Sequence, residues 1–210
     1  MARKRSMKLL ARFAVLLPFA FSVHAEEPVL GGPCEGCENV FIGMPSELSS
    51  EARIAPADAA GDPMQISGVV RDQVGNPVPG VIVYAYSTNS AGIYPEDTAN
   101  HTRHGAYRGW VKTGDDGSFL MHTIRPGHYP KTDIPEHVHM HVIEPGCGTY
   151  YVDDMVFLDD PLLTEKEKLA REKRPRGGQG MIRAMLLMGT WYAIRDITLG
   201  ENIPGYHCKK

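Results

Sequence analysis

The sequence predicts a mainly β fold: a β-sandwich of two mostly antiparallel sheets, with long loops that carry the functional residues and one short helix. Short stretches of alternating apolar and polar residues recur from residue 64 to residue 200, as in "GVIVYAYS". Turns rich in glycine and proline separate them, as in "QVGNP" and "RPGHYP". One segment, "LLTEKEKLAREK", has a convincing helical pattern. Many short strands with a single helix are typical of a sandwich.

The first 25 residues are typical of a signal peptide. The basic start "MARKRSMKLLAR" is followed by the apolar run "FAVLLPFAFSV" and by "VHA", which predicts a cut after Ala25. The apolar run is too short for a permanent membrane span, although an N-terminal membrane anchor is the alternative interpretation. No cysteine follows the cut, which argues against a lipid anchor. We therefore expect an exported chain, periplasmic or secreted, with no stable membrane anchor.

The charge of the chain disfavours one class of partner. Removal of residues 1–25 takes away five basic residues and changes the formal net charge from -3 to -8. An acidic protein lacks the excess of lysine and arginine that neutralises phosphates, so we expect no nucleic-acid partner. The sequence leaves the formation of a homo-oligomer open.

The chain has four cysteines, an even number that favours structural disulfides in an exported protein: Cys34, Cys37, Cys147 and Cys208. The stretch "CEGC" could instead be a redox pair or half of a zinc site. A zinc ribbon needs a second C-x-x-C, which the chain lacks. A thioredoxin-like site needs a following helix, which "ENVFIGMPSEL" does not provide. The pairing of the cysteines stays open.

Two regions follow the signal peptide. Residues 26–62 have turn and linker composition and are expected to form an irregular N-terminal extension, and residues 63–210 form the β-sandwich domain. Within the domain, "YRGWVKT" and "SFLMHTI" flank "GDDG", which predicts a hairpin. Thr164 is placed as the N-cap of the helix, before Glu165 and Glu167. The stretch "MIRAMLLMGTWYAIRDITLG" predicts one or two closing strands.

Seven of the nine histidines lie between His101 and His141, and three of these alternate along "IPEHVHMHVIEP". Alternate residues of a strand share a face and lie about 6.5–7 Å apart. His137 and His139 can therefore converge on one metal ion with bonds of about 2.1 Å, although a row of surface histidines would have the same pattern. His141 should share their face but lie one step too far along the strand. We expect it to have a packing or supporting role.

Two loops border this strand, and each carries a tyrosine. Tyr94 lies in "GIYPED" and Tyr129 lies in "RPGHYPKTD". A single tyrosine in such a loop is usually a packing or hydrogen-bonding residue, and either one alone would be interpreted in that way. Other residues of the region also have expected roles. His104 is expected to line a pocket, His101 and His122 to have surface or hydrogen-bonding roles, and Trp110 to pack in the core.

The order of these motifs resembles one family. "SGVVRDQVGNPVPGVIVYAYSTNSAGIYP", "GWVKTGDDGSFLMHTIRPGHYP" and "PEHVHMHV" follow one another as in the intradiol ring-cleavage dioxygenases, which include the catechol 1,2-dioxygenases and the protocatechuate 3,4-dioxygenase subunits. "DDMVFLDDPLL" and "RDITLGENIPGY" resemble the motifs that come next. The resemblance extends from about Met64 to Tyr206. The order and spacing of the pieces make it specific.

The resemblance implies a non-haem Fe(III) site held by two tyrosines and two histidines. The tyrosine of the family's G-x-Y loop matches Tyr94, and that of the P-G-x-Y-P loop matches Tyr129. The family's H-x-H pair matches His137 and His139. A phenolate is a hard anionic donor that suits a ferric ion, and a bound metal favours the deprotonated form of a tyrosine whose ordinary pKa is near 10.

The resemblance also implies the reaction and its partners, a catecholic small-molecule substrate and O2. The catechol binds through both oxygens and displaces a hydroxide and Tyr94, which take its protons. Cleavage between the two hydroxyl-bearing carbons gives a muconate-type diacid, while Tyr129, His137 and His139 hold the iron. The identity of the catechol stays open, and export favours an environmental phenolic compound.

The sequence departs from the family at the residues before the H-x-H pair. The family commonly has arginine three residues before the first histidine, where this chain has Ile134, and Glu136 replaces a small residue. The missing arginine leaves three interpretations: another cation takes its place, the substrate differs, or the activity is low. Arg108, Arg125 and Lys131 are candidate cations, with Arg125 better suited to anchoring its loop. The long helical N-terminal region of catechol 1,2-dioxygenases is missing, so their helical dimer and lipid tunnel are not expected.

Two alternatives to an active enzyme remain. The stretch "SGVVRDQVGNPVPGVIVYA" also resembles the prealbumin-like and carboxypeptidase-regulatory-like sandwiches, which are non-catalytic binding modules. Those modules have no reason to keep Tyr94, Tyr129, His137 and His139 together, so the four residues favour the enzyme. The other alternative, suggested by Ile134, is a relative that binds iron but has lost its activity.

Overall fold

Two β-sheets pack face to face in the computed structural model, which describes residues 28–32, 34 and 36–208. The predicted signal peptide lies outside these residues. In chain order the strands are β1 (Glu51–Arg53), β2 (Pro63–Arg71), β3 (Ile82–Ser87), β4 (Arg108–Lys112), β5 (Ser118–Ile124), β6 (His137–Glu144), β7 (Gly148–Phe157), β8 (Met181–Ile182), β9 (Met185–Leu187), β10 (Thr190–Ile194) and β11 (Ile197–Thr198). The first sheet has the order β1-β5-β2-β10-β9, with β11 also paired to β2, and the second has the order β4-β3-β6-β7-β8.

Both sheets are mixed. The long pairings β2–β5, β3–β6 and β6–β7 are antiparallel, as the sequence predicts. The short pairings β1–β5, β2–β10, β2–β11 and β7–β8 are parallel. The prediction of a mainly β sandwich with one short helix is confirmed, and the parallel pairs are confined to short stretches.

Three local predictions were wrong. The "GDDG" turn does not close a hairpin, because β4 pairs with β3 in one sheet and β5 pairs with β2 in the other. Turn residues set only the direction of the chain, whereas burial of both strands against the shared core decides their partners. The closing segment forms four short strands instead of one or two, and the extension contains β1 and the short 3-10 helix Cys37–Asn39.

The helix α1 (Glu165–Glu172) forms where the charge run predicts it. Thr164 Oγ1 accepts a hydrogen bond from the Glu167 backbone at 3.3 Å, and Glu167 Oε2 accepts one from the Thr164 backbone at 3.0 Å. This reciprocal capping box satisfies two backbone donors of the first turn. No residue of α1 is buried, so the helix lies on the surface. No helix in the described part of the chain has the length and apolar composition to cross a membrane.

Strand alternation divides β6 between two environments. Val138, Met140 and Val142 point into the core between the sheets and are fully buried. The residues between them, His137, His139 and His141, therefore lie on the outer face of the second sheet. Loops and part of the N-terminal extension cover this face, with Val40 packed against Tyr84, Tyr86 and Trp110.

Two disulfides join the four cysteines, which agrees with the structural bridges favoured from the sequence. Cys34 pairs with Cys37, and Cys147 pairs with Cys208 near the end of the described chain. The second bridge ties the loop between β6 and β7 to the C-terminal segment across 61 residues. A bridge that closes a long loop restricts the unfolded chain more than one that closes a short loop.

We expect the double substitution Cys147→Ser and Cys208→Ser to lower the free energy of unfolding by about 4 kcal/mol, from the entropy of the loop it opens. The double substitution Cys34→Ser and Cys37→Ser should lower it by about 2 kcal/mol, because its loop is short. Denaturant unfolding of the three proteins measures both effects. A larger effect for the Cys34–Cys37 pair would contradict the loop-length argument.

Candidate metal centre

The four side chains singled out in the sequence meet at one point. His137 and His139 project from β6, while Tyr94 and Tyr129 reach them from the loops after β3 and β5. His139 Nε2 lies 2.9 Å from Tyr94 Oη and 3.2 Å from Tyr129 Oη. His137 Nε2 lies 3.1 Å from Tyr129 Oη and 3.1 Å from His139 Nε2. The two phenol oxygens also form a hydrogen bond with each other.

A glycine allows the two tyrosine loops to pack together. Gly92, in the G-x-Y motif, has φ 76°, and a Cβ atom there would lie 1.7 Å from the carbonyl oxygen of His128. The backbone N–H of Gly127 also donates to the carbonyl of Asn89 at 2.9 Å. A side chain at Gly92 would push the loops apart and separate the phenol groups, so the glycine positions Tyr94.

The outer nitrogens of the two imidazoles fix their tautomers. His137 Nδ1 donates to the carbonyl oxygen of Pro135 at 2.7 Å, and His139 Nδ1 donates to Asp154 Oδ1 at 2.8 Å. Burial opposes ionisation of Asp154, but the hydrogen bond from His139 keeps the pKa of the carboxyl below its usual value. Burial also lowers the pKa of His137, which favours its neutral form. Both Nε2 atoms therefore present lone pairs to the same point.

This donor set fits a metal ion. Bonds of about 2.0–2.1 Å place neighbouring ligand atoms roughly 2.9–3.4 Å apart, and the distances at His139 Nε2 are 2.9–3.2 Å. Two lone pairs that face each other without a proton between them repel unless a cation lies between them. Burial and the hydrogen bond to Tyr129 raise the pKa of Tyr94, so Tyr94 stays protonated until a cation favours its phenolate. Two phenolates with two imidazoles suit a ferric ion.

A β-bulge places the carboxylate that supports His139. Val138 pairs with Met155 and Met140 pairs with Val152, so two residues of β7, Asp153 and Asp154, oppose His139 alone. The extra residue turns Asp154 towards the outer face, and its side chain reaches His139 Nδ1. Asp154 was not among the residues predicted from the sequence. The available signal was a carboxylate on the strand that follows the H-x-H strand. The sequence does not show the register between these two strands, so it could not pair Asp154 with His139.

We expect Asp154→Asn to weaken metal binding by about 10- to 100-fold, because the charged acceptor that orients a metal-ligating histidine is lost. Asp153→Asn, one residue earlier on the same bulge, is the matched control and should leave the metal affinity unchanged. A competition titration with a chelator of known affinity measures both. Equal weakening in the two variants would show that the bulge, and not the carboxylate of Asp154, matters.

His141 lies on the same face but outside the four-atom cluster, as its spacing predicts. Its Nδ1 lies 3.9 Å from Cys34 Sγ and 3.8 Å from Cys37 Sγ, so it packs on the first disulfide. Burial and the neighbouring His104 lower the pKa of His141 to about 3, which keeps the ring neutral. The "CEGC" bridge and the third histidine thus form part of the wall behind the site.

Aromatic rings connect this wall to the cluster. Tyr86 stacks on His139 with 4.5 Å between ring centroids and on His104 with 3.8 Å. His104 is 3% exposed, and its Nδ1 lies 2.8 Å from Tyr84 Oη. The expectation that His104 lines the pocket is confirmed. The stack restricts rotation of the His139 ring, which keeps Nε2 aimed at the cluster.

The outlying aromatic and histidine residues take the expected structural roles. Trp110 is buried and donates from Nε1 to the carbonyl of Val40 at 2.8 Å. His122 lies 2.7 Å from Glu51 on a neighbouring strand of the first sheet. His101 is exposed, in a loop with φ 51°. None of these three residues lines the pocket.

The pocket over the cluster has a volume of about 930 Å³, and Ile134 lines it. The three cations considered from the sequence, Arg108, Arg125 and Lys131, do not. Arg108 is buried in an ion pair with Asp97 at 2.7 Å. The sequence named these three cations as candidates without placing them, because it does not show where each loop directs its side chains. Three other arginines line the pocket instead: Arg103, Arg171 and Arg176.

Arg125 anchors its loop, as expected. It donates to Glu136 at 2.8 Å and to Asp159 at 2.8 Å. Its guanidinium also lies over the rings of Phe157 and Trp191, 4.5 Å and 4.4 Å from their centroids. Glu136, the second departure from the family, and Arg125 therefore neutralise each other at the base of the loop that carries Tyr129.

Known proteins with similar sequences are dioxygenases. A model of the dioxygenase family (Dioxygenase_C) matches residues 40–182, more than half of the chain. The protocatechuate 3,4-dioxygenase beta chain of Burkholderia cepacia is 31% identical over 142 residues, covering 62% of this chain and 59% of that protein. Chlorocatechol 1,2-dioxygenase of Rhodococcus opacus is 28% identical over 141 residues, covering 59% of this chain and 52% of that protein. The chain therefore spans little more than half the length of these relatives.

Solved structures share the fold. The dioxygenase domain of a dioxygenase carbohydrate-binding protein fusion from Streptomyces sp. SirexAA-E superposes with a TM-score of 0.56 at 22% identity, covering 74% of this chain and 91% of that one. The 3-chlorocatechol 1,2-dioxygenase of Rhodococcus opacus 1CP gives 0.57 at 18% identity, covering 74% and 66%. The family-model match extends over β1 to β8 and includes all four clustered side chains. This chain belongs to the intradiol ring-cleavage dioxygenase family.

Proposed function

We propose that the chain binds Fe(III) through Tyr94, Tyr129, His137 and His139 and uses O2 to cleave a catechol between its two hydroxyl-bearing carbons. The observation that supports this most is the donor set, in which two phenol oxygens and two imidazole lone pairs meet within hydrogen-bonding distance. The Nδ1 atoms of both histidines are already engaged by other hydrogen bonds, so their Nε2 atoms face the cluster. A structural zinc site rarely uses tyrosine, and a non-catalytic sandwich has no need of such a cluster.

The side chains have different parts in this reaction. When bound, the ferric ion supplies a site for both catechol oxygens and draws electron density from the ring towards reaction with O2. Tyr129 Oη lies within 3.2 Å of both imidazole nitrogens, whereas Tyr94 Oη contacts only His139 among the two histidines. Tyr94 therefore lies at the edge of the cluster, where its phenolate oxygen would accept a proton from the catechol. Asp154 and the Tyr86 ring keep His139 in place.

The test is to load the purified protein with iron and record its visible spectrum. A ferric–tyrosinate site should give an intense charge-transfer band that shifts when catechol is added. Oxygen uptake should then match catechol consumption one to one, with a muconate-type diacid as the product. A protein that binds no iron, or binds it without a tyrosinate band, would contradict the assigned ligands.

Ile134 favours a second candidate, an iron-binding relative without turnover. This apolar side chain is 46% exposed, lines the pocket, and stands where relatives commonly have arginine. The same experiment separates the two candidates. If the tyrosinate band shifts with catechol but none of several catechols causes O2 uptake, the protein binds iron and catechol without cleaving the ring.

We also propose that the chain is exported, with catechols outside the cytoplasm as its substrates. The N-terminal 25 residues and the two disulfides support this, since disulfides persist in oxidising compartments. Expression of the full chain followed by N-terminal sequencing of the mature protein tests the proposal. The expected first residue is Glu26, and a cytoplasmic protein that keeps its first 25 residues would contradict it.

A further inference from the structure

The pocket is larger than a catechol needs. Its volume of about 930 Å³ is near the upper end of the range for pockets that enclose drug-sized ligands. A single six-membered ring with two hydroxyl groups would fill only a small part of this space. The remaining volume can accommodate a substituent that extends from the ring away from the metal cluster.

The charge of the lining indicates the chemistry of that substituent. Arg103, Arg171 and Arg176 line the pocket, and among the described residues that line it the one acidic side chain is Asp154, which is engaged by His139. The whole chain has a formal net charge of -3, so the positive lining is a local feature of this cleft. A cleft with one sign of charge concentrates ligands of the opposite sign.

Arg176 is the best placed of the three. Its carbonyl oxygen accepts a hydrogen bond from the Asp153 backbone at 2.9 Å, which fixes its position beside Asp154. Its guanidinium lies 5.4 Å from the Tyr151 ring centroid and donates one long hydrogen bond, 3.4 Å, to Gly31. Its Nε is buried and has no partner among the described residues. A guanidinium has five N–H donors, so Arg176 retains donors for a ligand.

We propose that Arg176, assisted by Arg171 at the end of α1, forms an anion subsite that binds a carboxylate on an arm of the catechol. This proposal rests on the proposed function and specifies its substrate class. A planar guanidinium can bind a carboxylate through two parallel hydrogen bonds. Ile134 lines the same pocket and adds an apolar side chain to its wall.

The test compares a catechol that has a short acidic arm, 3,4-dihydroxycinnamate, with its neutral methyl ester. Arg176→Gln should reduce kcat/KM for the acid by about 10- to 100-fold, the effect of losing hydrogen bonds to a charged group. It should leave the ester within about twofold, because the ester has no charge to lose. Arg174→Gln, an exposed arginine of the same segment that does not line the pocket, is the matched control and should change neither substrate. Equal losses for acid and ester would overturn the proposal.

A second measurement separates this proposal from the proposed function. Cinnamate, which has the acidic arm but no hydroxyl groups to bind a metal, is titrated calorimetrically into the same proteins, with cinnamamide as the neutral probe. Cinnamate binding that is weakened by Arg176→Gln, with no change for cinnamamide, supports the subsite even if no catechol is cleaved. Cinnamate binding that is the same in the wild type and in Arg176→Gln would overturn the subsite and leave ring cleavage untouched.

Discussion

Replacing His139 with glutamine is expected to reduce iron affinity by more than about 100-fold, since loss of an outer partner of a metal-ligating histidine already costs about 10- to 100-fold. His139 Nε2 lies 2.9 Å from Tyr94 Oη, 3.1 Å from His137 Nε2 and 3.2 Å from Tyr129 Oη, so it contacts every other member of the cluster. Oxygen uptake with catechol should fall at least as far. Iron per chain after dialysis and the intensity of the visible band measure the effect.

The matched control is the same substitution two residues further along β6. His141 shares the outer face, but its Nδ1 faces the two sulfurs of the Cys34–Cys37 bridge. His141→Gln should keep one iron per chain and the same visible band, while lowering stability by about 1–3 kcal/mol because the residue is 1% exposed. If both variants lose iron equally, the third histidine is a ligand and the four-residue site is wrong.

The cluster of four side chains was predictable because each of its members lies in a short local pattern. His137 and His139 share a face through strand alternation alone, and this requires no knowledge of the neighbouring strands. Gly92 explains why the G-x-Y motif needs its glycine: the φ of 76° and the lack of a Cβ atom beside the His128 carbonyl let the two tyrosine loops pack together. A resemblance based on such motifs therefore transfers well to a distant chain.

The residues around the cluster were not predictable, because they depend on long-range geometry. Asp154 reaches His139 only because β7 has a bulge opposite that residue, and a register shift leaves no local signal. Arg171 and Arg176 belong to a charge run that is typical of a solvated surface, and only the position of α1 and of the segment after it brings them to the pocket. The partners of β4 and β5 were likewise decided by the core and not by the turn between them.

Tyr94→Phe is expected to keep iron but to lower kcat by about 10²- to 10⁴-fold, the usual contribution of a positioned proton acceptor. Tyr129, His137 and His139 remain to hold the metal, and their mutual contacts do not involve Tyr94. The visible band should persist with changed intensity, because one tyrosinate is left. Stopped-flow mixing with catechol should show that the substrate still binds while product formation is slow.

Tyr129→Phe removes the same atom from the other loop and should behave differently. Tyr129 Oη lies 3.1 Å from His137 Nε2 and 3.2 Å from His139 Nε2, so its loss opens the centre of the cluster, whereas loss of Tyr94 Oη removes an edge contact. We therefore expect Tyr129→Phe to lose most of its iron and, with it, the tyrosinate band. Equal iron loss in both variants, or an active Tyr94→Phe with kcat within about tenfold of the wild type, would contradict the different parts assigned to the two phenols. The two variants therefore test whether the position of each phenol within the cluster decides its role. Tyr129, at the centre, is expected to hold the metal, and Tyr94, at the edge, is expected to accept the proton.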